Sequence, residues 1–316
     1  MWTLIAQIFP YAIAFTIPLL ITALGGLFSE RSGVVNIGLE GLMVVGSFSA
    51  AMVIYSLQPT MSIDIAVWIG LLAAALAGGL FSLLHAFASI NLNANQVISG
   101  TAINMMAGAL TVFLARNVTG SGNIPIVRGL IRRNIPVLSE IPIIGRLFFT
   151  GTYATTWLVL VILFIGWFVI YKTSYGLRLR ACGEHPHAAD SAGVNVYKTR
   201  YIAVIISGAF SGLGGGILLV TIAGEFTGSV AGLGFLALAS LIFGQWKPLG
   251  ILGATAFFGI ASTIANVSSV IPMLQVIPGV LLKVFPYVVT LIALVAFSKS
   301  SQAPKAAGEP YEKGKR

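Results

Sequence analysis

The chain has 316 residues, of which 57% are hydrophobic and only 9% charged, and its mean hydropathy is +0.95. An ordinary soluble domain carries about a quarter charged residues, so a water-soluble globule is excluded and most of the surface must face the bilayer. Eighteen Lys and Arg against nine Asp and Glu give a net charge of +9 and a pI near 9.9. The basic residues lie in the gaps between apolar runs, where membrane orientation accounts for them and nucleic acid does not. A single cysteine, Cys182, excludes disulfides within the chain and Cys-rich metal sites, and three histidines, His85, His185 and His187, leave little for a metal centre.

A bilayer core requires about 20 apolar residues per helix. Residues 8–28 form the first such run. It has no basic stretch before it, and Phe28-Ser29-Glu30-Arg31 is not a small-residue cleavage site, so it is expected to stay as a helix. Residues 34–55 form the second run, interrupted by Glu40. No charge occurs between Asp64 and Arg116, and the polar patch Asn91-Leu92-Asn93-Ala94-Asn95-Gln96 divides that stretch into the third and fourth. The fifth covers 148–171, and beyond a charged loop come 201–223, 229–245, 250–270 and 276–297. The expectation is one all-α polytopic membrane domain over 1–316, with about nine (8–10) transmembrane helices.

Arg31, the loop 172–200, Lys247 and the basic tail 299–316 fall on one side of this topology and collect twelve Lys and Arg. The other side holds five, Arg116, Arg128, Arg132, Arg133 and Arg146. The richer side is expected to be cytoplasmic, which puts the amino terminus outside, the carboxyl terminus inside and segment 116–149 in an extracytoplasmic loop. Lys283, flanked by Pro278 and Pro286 in the last run, is expected to snorkel toward the interface.

Glycines cluster in the sixth run. Ser207-Gly208, Ser211-Gly212 and Gly215-Gly216 repeat at four-residue spacing, the small-xxx-small pattern that lets helix backbones approach closely, and read as packing. Two other clusters read as broken helices. Ser29-Glu30-Arg31-Ser32-Gly33-Val34-Val35-Asn36-Ile37-Gly38-Leu39-Glu40-Gly41 places glycines, an amide and a carboxylate at the start of an apolar run, and Gly224-Glu225-Phe226-Thr227-Gly228-Ser229-Val230-Ala231-Gly232-Leu233-Gly234-Phe235 does the same in the second half. The expected topology gives the two halves opposite orientation, an inverted repeat. Irregular backbone at membrane depth survives only where it is buried in protein or lines a cavity, so matching breaks point to a transport path between the halves.

The candidate path residues are Asn36, Glu40, Gln96, Asn104, Glu225 and Phe226. An intramembrane carboxylate is a functional candidate by default, but Glu40 would equally serve to brace the break through neighbouring amides. Gln96 and Asn104 either face the path or hydrogen-bond another helix. Phe226, Phe235 and Trp246 either stack on a planar substrate or pack in the core.

In the loop 172–200, Pro186 suits the first turn of a helix and Gly193 its C-cap, which predicts a helix of about two turns outside the membrane. So short a helix is unstable alone and needs a supporting surface. The block Arg180-Ala181-Cys182-Gly183-Glu184, Ala188-Ala189 and Ala192-Gly193-Val194-Asn195, leading into Ser207-Gly208-Ala209, resembles the permease subunits of ABC importers in the branched-chain amino acid, ribose and simple-sugar group. The segment Glu30 to Gly41 resembles the nucleoside-importer branch, as do Phe243-Gly244-Gln245-Trp246-Lys247-Pro248-Leu249-Gly250 and Phe285-Pro286-Tyr287.

The resemblance implies a permease with the type II fold of vitamin B12 importers, in a bacterial plasma membrane and surrounded by lipid. It implies as partners a second related permease chain, two ABC ATPase subunits and an extracytoplasmic substrate-binding lipoprotein, with a nucleoside or a simple sugar as cargo. The loop would supply the coupling helix, with Arg178, Arg180, Glu184, His185, Ala188, Asp190 and Gly193 facing the ATPase. No G-x-x-x-x-G-K-[ST] phosphate cradle occurs, so ATP and Mg are expected on the partner ATPase, with no cofactor on this chain and no catalytic residue. The competing expectations are an ion-coupled secondary transporter with Glu40 or Glu225 as proton site, and a membrane enzyme using Glu40 as acid or base.

Overall fold

In the computed structural model, which describes residues 2–267, Leu281, Val284, Phe285, Val288 and 302–314, the chain is helical nearly throughout. α1 (Trp2–Arg31), α2 (Leu39–Leu57), α3 (Ile63–Asn91), α4 (Gln96–Thr119), α5 (Ala154–Lys172), α8 (Val196–Ala223) and α10 (Pro248–Val267) are long and apolar. α3 and α8 each end in a turn of π-helix, Phe87–Asn91 and Leu219–Ala223. Between these lie three short helices, α6 (Ser174–Glu184), α7 (Pro186–Ser191) and α9 (Leu233–Phe243). Seven helices among the described residues are long enough to cross a bilayer, and the protein is a multi-pass, all-α membrane protein.

Two expectations change. The run 229–245 was expected to span, but it forms the 11-residue α9, about 16 Å at 1.5 Å per residue against a core of about 30 Å. Gly228 and Gly232 adopt positive φ (82° and 79°) and keep the preceding segment out of the helix. The second run begins its helix at Leu39 rather than Val34, because residues 34–38 are irregular. The expected last span, 276–297, with Pro278, Lys283, Pro286 and Tyr287, lies outside the described residues, except for the four single positions within it.

α1 and α8 form the centre: most of each is buried, whereas α4 is largely exposed. The glycine pattern explains why α8 can sit there. A Cβ on Gly208 would lie 2.4 Å from Ser82 on α3, one on Gly212 2.2 Å from the Ala74 carbonyl on α3, and one on Gly215 1.9 Å from the Met43 carbonyl on α2. α8 therefore touches two neighbours backbone to backbone, as the small-xxx-small spacing predicts. On the periphery, Leu72, Leu76 and Leu80 of α3, Met105 and Phe113 of α4 and Phe164 of α5 are exposed, an apolar belt suited to lipid.

The two ends of the bundle differ. At one end, the segment 120–153 is tied down rather than loose. Ile124 and Pro125 (β1) pair antiparallel with Phe226 and Glu225 (β2). The Gln58 side chain donates to the Arg128 carbonyl (2.9 Å) and accepts from Val127 N–H (2.8 Å), and the Arg132 guanidinium stacks 3.9 Å above the Tyr11 ring. At the other end gather Arg31, α6, α7, Trp246 and the tail 302–314.

Candidate translocation and coupling site

The first break, residues 32–38, leaves the end of α1 through Gly33 at φ 93°, where a Cβ would meet Arg200 Nη2 at 2.7 Å. Its backbone groups are bonded by side chains of α3 and α4 and by its own Asn36. Val35 N–H donates to Gln96 Oε1 (2.7 Å), and the Val35 carbonyl pairs with His85 Nε2 (3.0 Å). Since that carbonyl can only accept, Nε2 carries a proton, and in the neutral ring Nδ1 accepts from the Ser99 hydroxyl (3.0 Å). Asn104 donates to the Ile37 carbonyl (3.1 Å) and accepts from Gly41 N–H (2.7 Å). Asn36 donates to Ser207 Oγ (3.0 Å) and accepts from Gly38 N–H (3.1 Å). Irregular backbone inside a bilayer needs this kind of internal satisfaction, because lipid offers none.

Glu40, half-buried at the start of α2, reaches across to the second break. Its two carboxylate oxygens accept from Gly232 N–H (2.9 Å) and Gly234 N–H (2.7 Å), the free amides at the start of α9. No side chain of α9's own segment caps it, so the cap comes from a residue 192 positions away. A carboxylate there also meets the positive end of the helix dipole. The opposite end of α9 is held by the same neighbour segment: Trp246 Nε1 donates to Glu30 Oε2 (2.5 Å), and Arg31 Nη2 donates to the Trp246 carbonyl (2.7 Å). Glu30 and Glu40 thus flank the first break and clamp the two ends of α9.

The structure brings four of the six candidate path residues together. Asn36, Gln96, Asn104 and Glu40 all surround the first break, Asn36 and Gln96 buried and Glu40 and Asn104 half-buried. Glu225 is exposed on the β1–β2 pair at the far end. Phe226 packs in the core with its ring 5.5 Å from Phe48, and Trp246 is likewise buried, whereas Phe235 is exposed.

The coupling candidates sit at the other end. α7 follows the expected signals: His185 is the N-cap, Pro186 occupies the first position, and Gly193 (φ 81°) closes the helix with Val194 N–H bonded to the Ala189 carbonyl (3.0 Å). An additional helix, α6, precedes it, capped by the Thr173 hydroxyl. Arg178, Glu184, His185, Ala188 and Gly193 are exposed, while Arg180 and Asp190 are half-buried. Pro186 and Ala189 face inward.

This end abuts the first break directly. A Cβ on Gly183 would lie 2.4 Å from the Arg31 carbonyl, and Arg200 at the foot of α8 donates from Nε to the Ser32 carbonyl (3.2 Å). A continuous run of packed groups therefore leads from α7 through Gly183 and Arg200 to the first break, and from there through Glu30 and Glu40 to α9. Sequence reasoning singled out neither His85, Glu30 nor Arg200 for these roles. Glu30 and Arg200 lie beside loop residues and read as ordinary end-of-helix charges, while His85 in an apolar run was the one available signal.

Known proteins resemble this chain along most of its length. Residues 8–294 match the family described as branched-chain amino acid transport system, permease component. A guanosine ABC transporter permease protein of Bacillus subtilis (strain 168), NupQ, is 48% identical over 99% of this chain and 98% of its own. A nucleoside ABC transporter permease protein of Lactococcus lactis subsp. cremoris (strain MG1363), NupC, is 44% identical over 95% of each. A second guanosine permease protein of the same Bacillus, NupP, is 31% identical over 63% of this chain and 56% of its own. Matched in this way along nearly its whole length, the chain belongs to the permease component family of the branched-chain amino acid transport systems.

Proposed function

We propose that this chain is the membrane-spanning permease subunit of an ATP-driven importer for nucleosides, purine nucleosides among them. The observation that carries the proposal is the 48% identity, across 99% of the chain, to a permease named for guanosine transport. The geometry supplies a means: a short exposed helix, α7, is packed through Gly183 and Arg200 onto the broken segments. ATP drives transport only if its binding favours one arrangement of the permease over another, and α7 is where a partner ATPase would exert that preference.

In this proposal Arg178, Glu184, His185, Ala188 and Gly193 touch the ATPase, and Arg180 and Asp190 support them from behind. ATP and Mg are held by the ATPase, and a lipoprotein delivers the nucleoside at the end that carries segment 120–153. That end is extracytoplasmic and the α7 end cytoplasmic, in a bacterial plasma membrane. The substrate passes Glu40, Asn104 and Glu225, with Asn36 and Gln96 shaping the path from behind and Phe226 sealing it toward the core. The fold is of the vitamin B12-importer kind, with a further span in 276–297. Two different permeases named for guanosine in one Bacillus favour pairing with a second, related chain over pairing with a copy.

The test is a mild-detergent pull-down from the native host with mass spectrometry of the co-purifying chains, followed by uptake in liposomes. Recovery of a second multispanning chain and an ATPase, with guanosine uptake that needs ATP and survives an uncoupler, is the expected result. A chain that purifies alone and transports under an ion gradient, with uptake abolished by the uncoupler, refutes the proposal in favour of a secondary transporter.

A further inference from the structure

The carboxyl-terminal segment 302–314 reads in the sequence as a basic tail, yet it is docked along its length. Gln302 N–H donates to Gln245 Oε1 (3.2 Å), just beyond α9. Ala306 N–H donates to the Gly183 carbonyl (2.9 Å) at the end of α6, and Gly308 N–H to the Gly33 carbonyl (3.1 Å) in the first break. Arg200, which holds the Ser32 carbonyl through Nε, holds the Glu309 carbonyl through Nη1 (3.2 Å). The segment then inserts Tyr311, which is only 3% exposed, beneath α7.

The Tyr311 ring lies 5.1 Å from His187 of α7 and 5.5 Å from Tyr197 of α8, and shares a buried cluster with Cys182, Ala189 and Val196. Burial, together with the nearby Asp190 carboxylate, pushes the pKa of its hydroxyl up to about 12, so the ring stays neutral. α7 has six residues, too few to hold a helix or transmit a displacement unaided. Its inward face rests on Tyr311.

We propose that residues 302–314 form a strap that carries the movement of α7 to the first break and to the end of α9, with Tyr311 as its positioning residue. This rests on the importer function proposed above, in which α7 receives the ATPase. The strap touches α7, Gly183, Gly33 and Gln245, one point on each element that has to move together. Backbone hydrogen bonds fix its course, and one aromatic ring fixes its grip on α7.

Cys182, the only cysteine of the sequence and buried beneath the strap, is a built-in reporter of docking. The experiment uses the full importer complex in liposomes, with maleimide labelling of Cys182 read by mass spectrometry of this chain, and guanosine imported per ATP hydrolysed. Tyr311→Ala is expected to assemble, to label Cys182 about tenfold faster, and to import about tenfold less guanosine per ATP. Tyr311→Phe keeps the ring and is expected to stay near wild type in both. A chain ended after Glu309, which keeps the backbone bonds of the strap, is expected to behave like Tyr311→Ala.

Faster labelling with an unchanged ratio of guanosine to ATP overturns the strap, as does labelling that stays slow in Tyr311→Ala. Failure of both the alanine variant and the shortened chain to assemble assigns the segment to folding and also overturns it. The importer function fails in a different way, by a wild-type complex that shows no ATP-dependent uptake, so the two are separable.

Discussion

Glu40 lies in the first turn of α2, but its carboxylate belongs functionally to α9, whose first free amides it accepts at 2.7 and 2.9 Å. Glu40→Gln removes the charge that faces the helix dipole and turns an amide donor toward one of those N–H groups. The loss of such a cap costs about 1–2 kcal/mol. The expected outcome is an assembled complex with thermal stability lowered to that extent and uptake reduced about tenfold. Unchanged uptake kinetics would show that α9's position has no bearing on transport. Trp246→Phe acts on the other end of α9. It replaces the indole with a smaller aromatic ring and strips the donor from Glu30 Oε2, leaving a buried carboxylate oxygen short of a partner, a loss of about 1–3 kcal/mol. Thermal unfolding of the purified protein in detergent is the measurement, and a midpoint equal to wild type would show that Glu30 finds another donor.

At the scale of elements, α8 holds the bundle together because it lacks side chains where it crosses α2 and α3. Gly215→Ala would place a methyl 1.9 Å from the Met43 carbonyl, against backbone that cannot swing aside. Such overpacking costs about 1–3 kcal/mol or more, so the expected result is a marked drop in folded protein recovered from the membrane. Gly253→Ala on α10, where a Cβ meets nothing within 4 Å, is expected to be neutral in the same assay. The four-residue spacing of small residues made this central helix legible in the sequence, as uncharged length did for the other long helices. α9 was not legible as a short helix, because apolar residues run on through 229–245 and what delays the start of the helix to Leu233 is backbone conformation at Gly228 and Gly232. The polar groups of the first break were legible as a cluster, since amides in an apolar run stand out. Their bonding to backbone was not, because Gln96, Asn104 and Val35 meet only across the fold. The docked tail left just one sign, an isolated Tyr311 among charged residues and glycines.

For the molecule as a whole, the two breaks and the α7 end form one connected body rather than separate sites. α9 is clamped at both ends by residues flanking the first break, and the first break is clamped by Gly183 and Arg200 to the helices that carry α7. The close approach of Gly183 to the Arg31 carbonyl and the Arg200 bond to Ser32 give a push on α7 a direct route to the broken segments. Glu184 stands at the exposed junction of α6 and α7, at the point where a partner would apply that push, and takes no part in the internal clamps. Glu184→Lys reverses a surface charge and leaves Gly183, Arg200 and Glu40 untouched, so the permease is expected to insert and fold as wild type. If the partner's contact includes this position, guanosine uptake falls by about tenfold or more while ATP hydrolysis by the complex loses its response to guanosine. Measuring both in the same liposomes separates a broken linkage from a broken fold, because a misfolded permease would lose complex assembly as well. Normal uptake by this variant would remove Glu184 from the docking contact and move the contact along α7 toward Ala188 and Gly193.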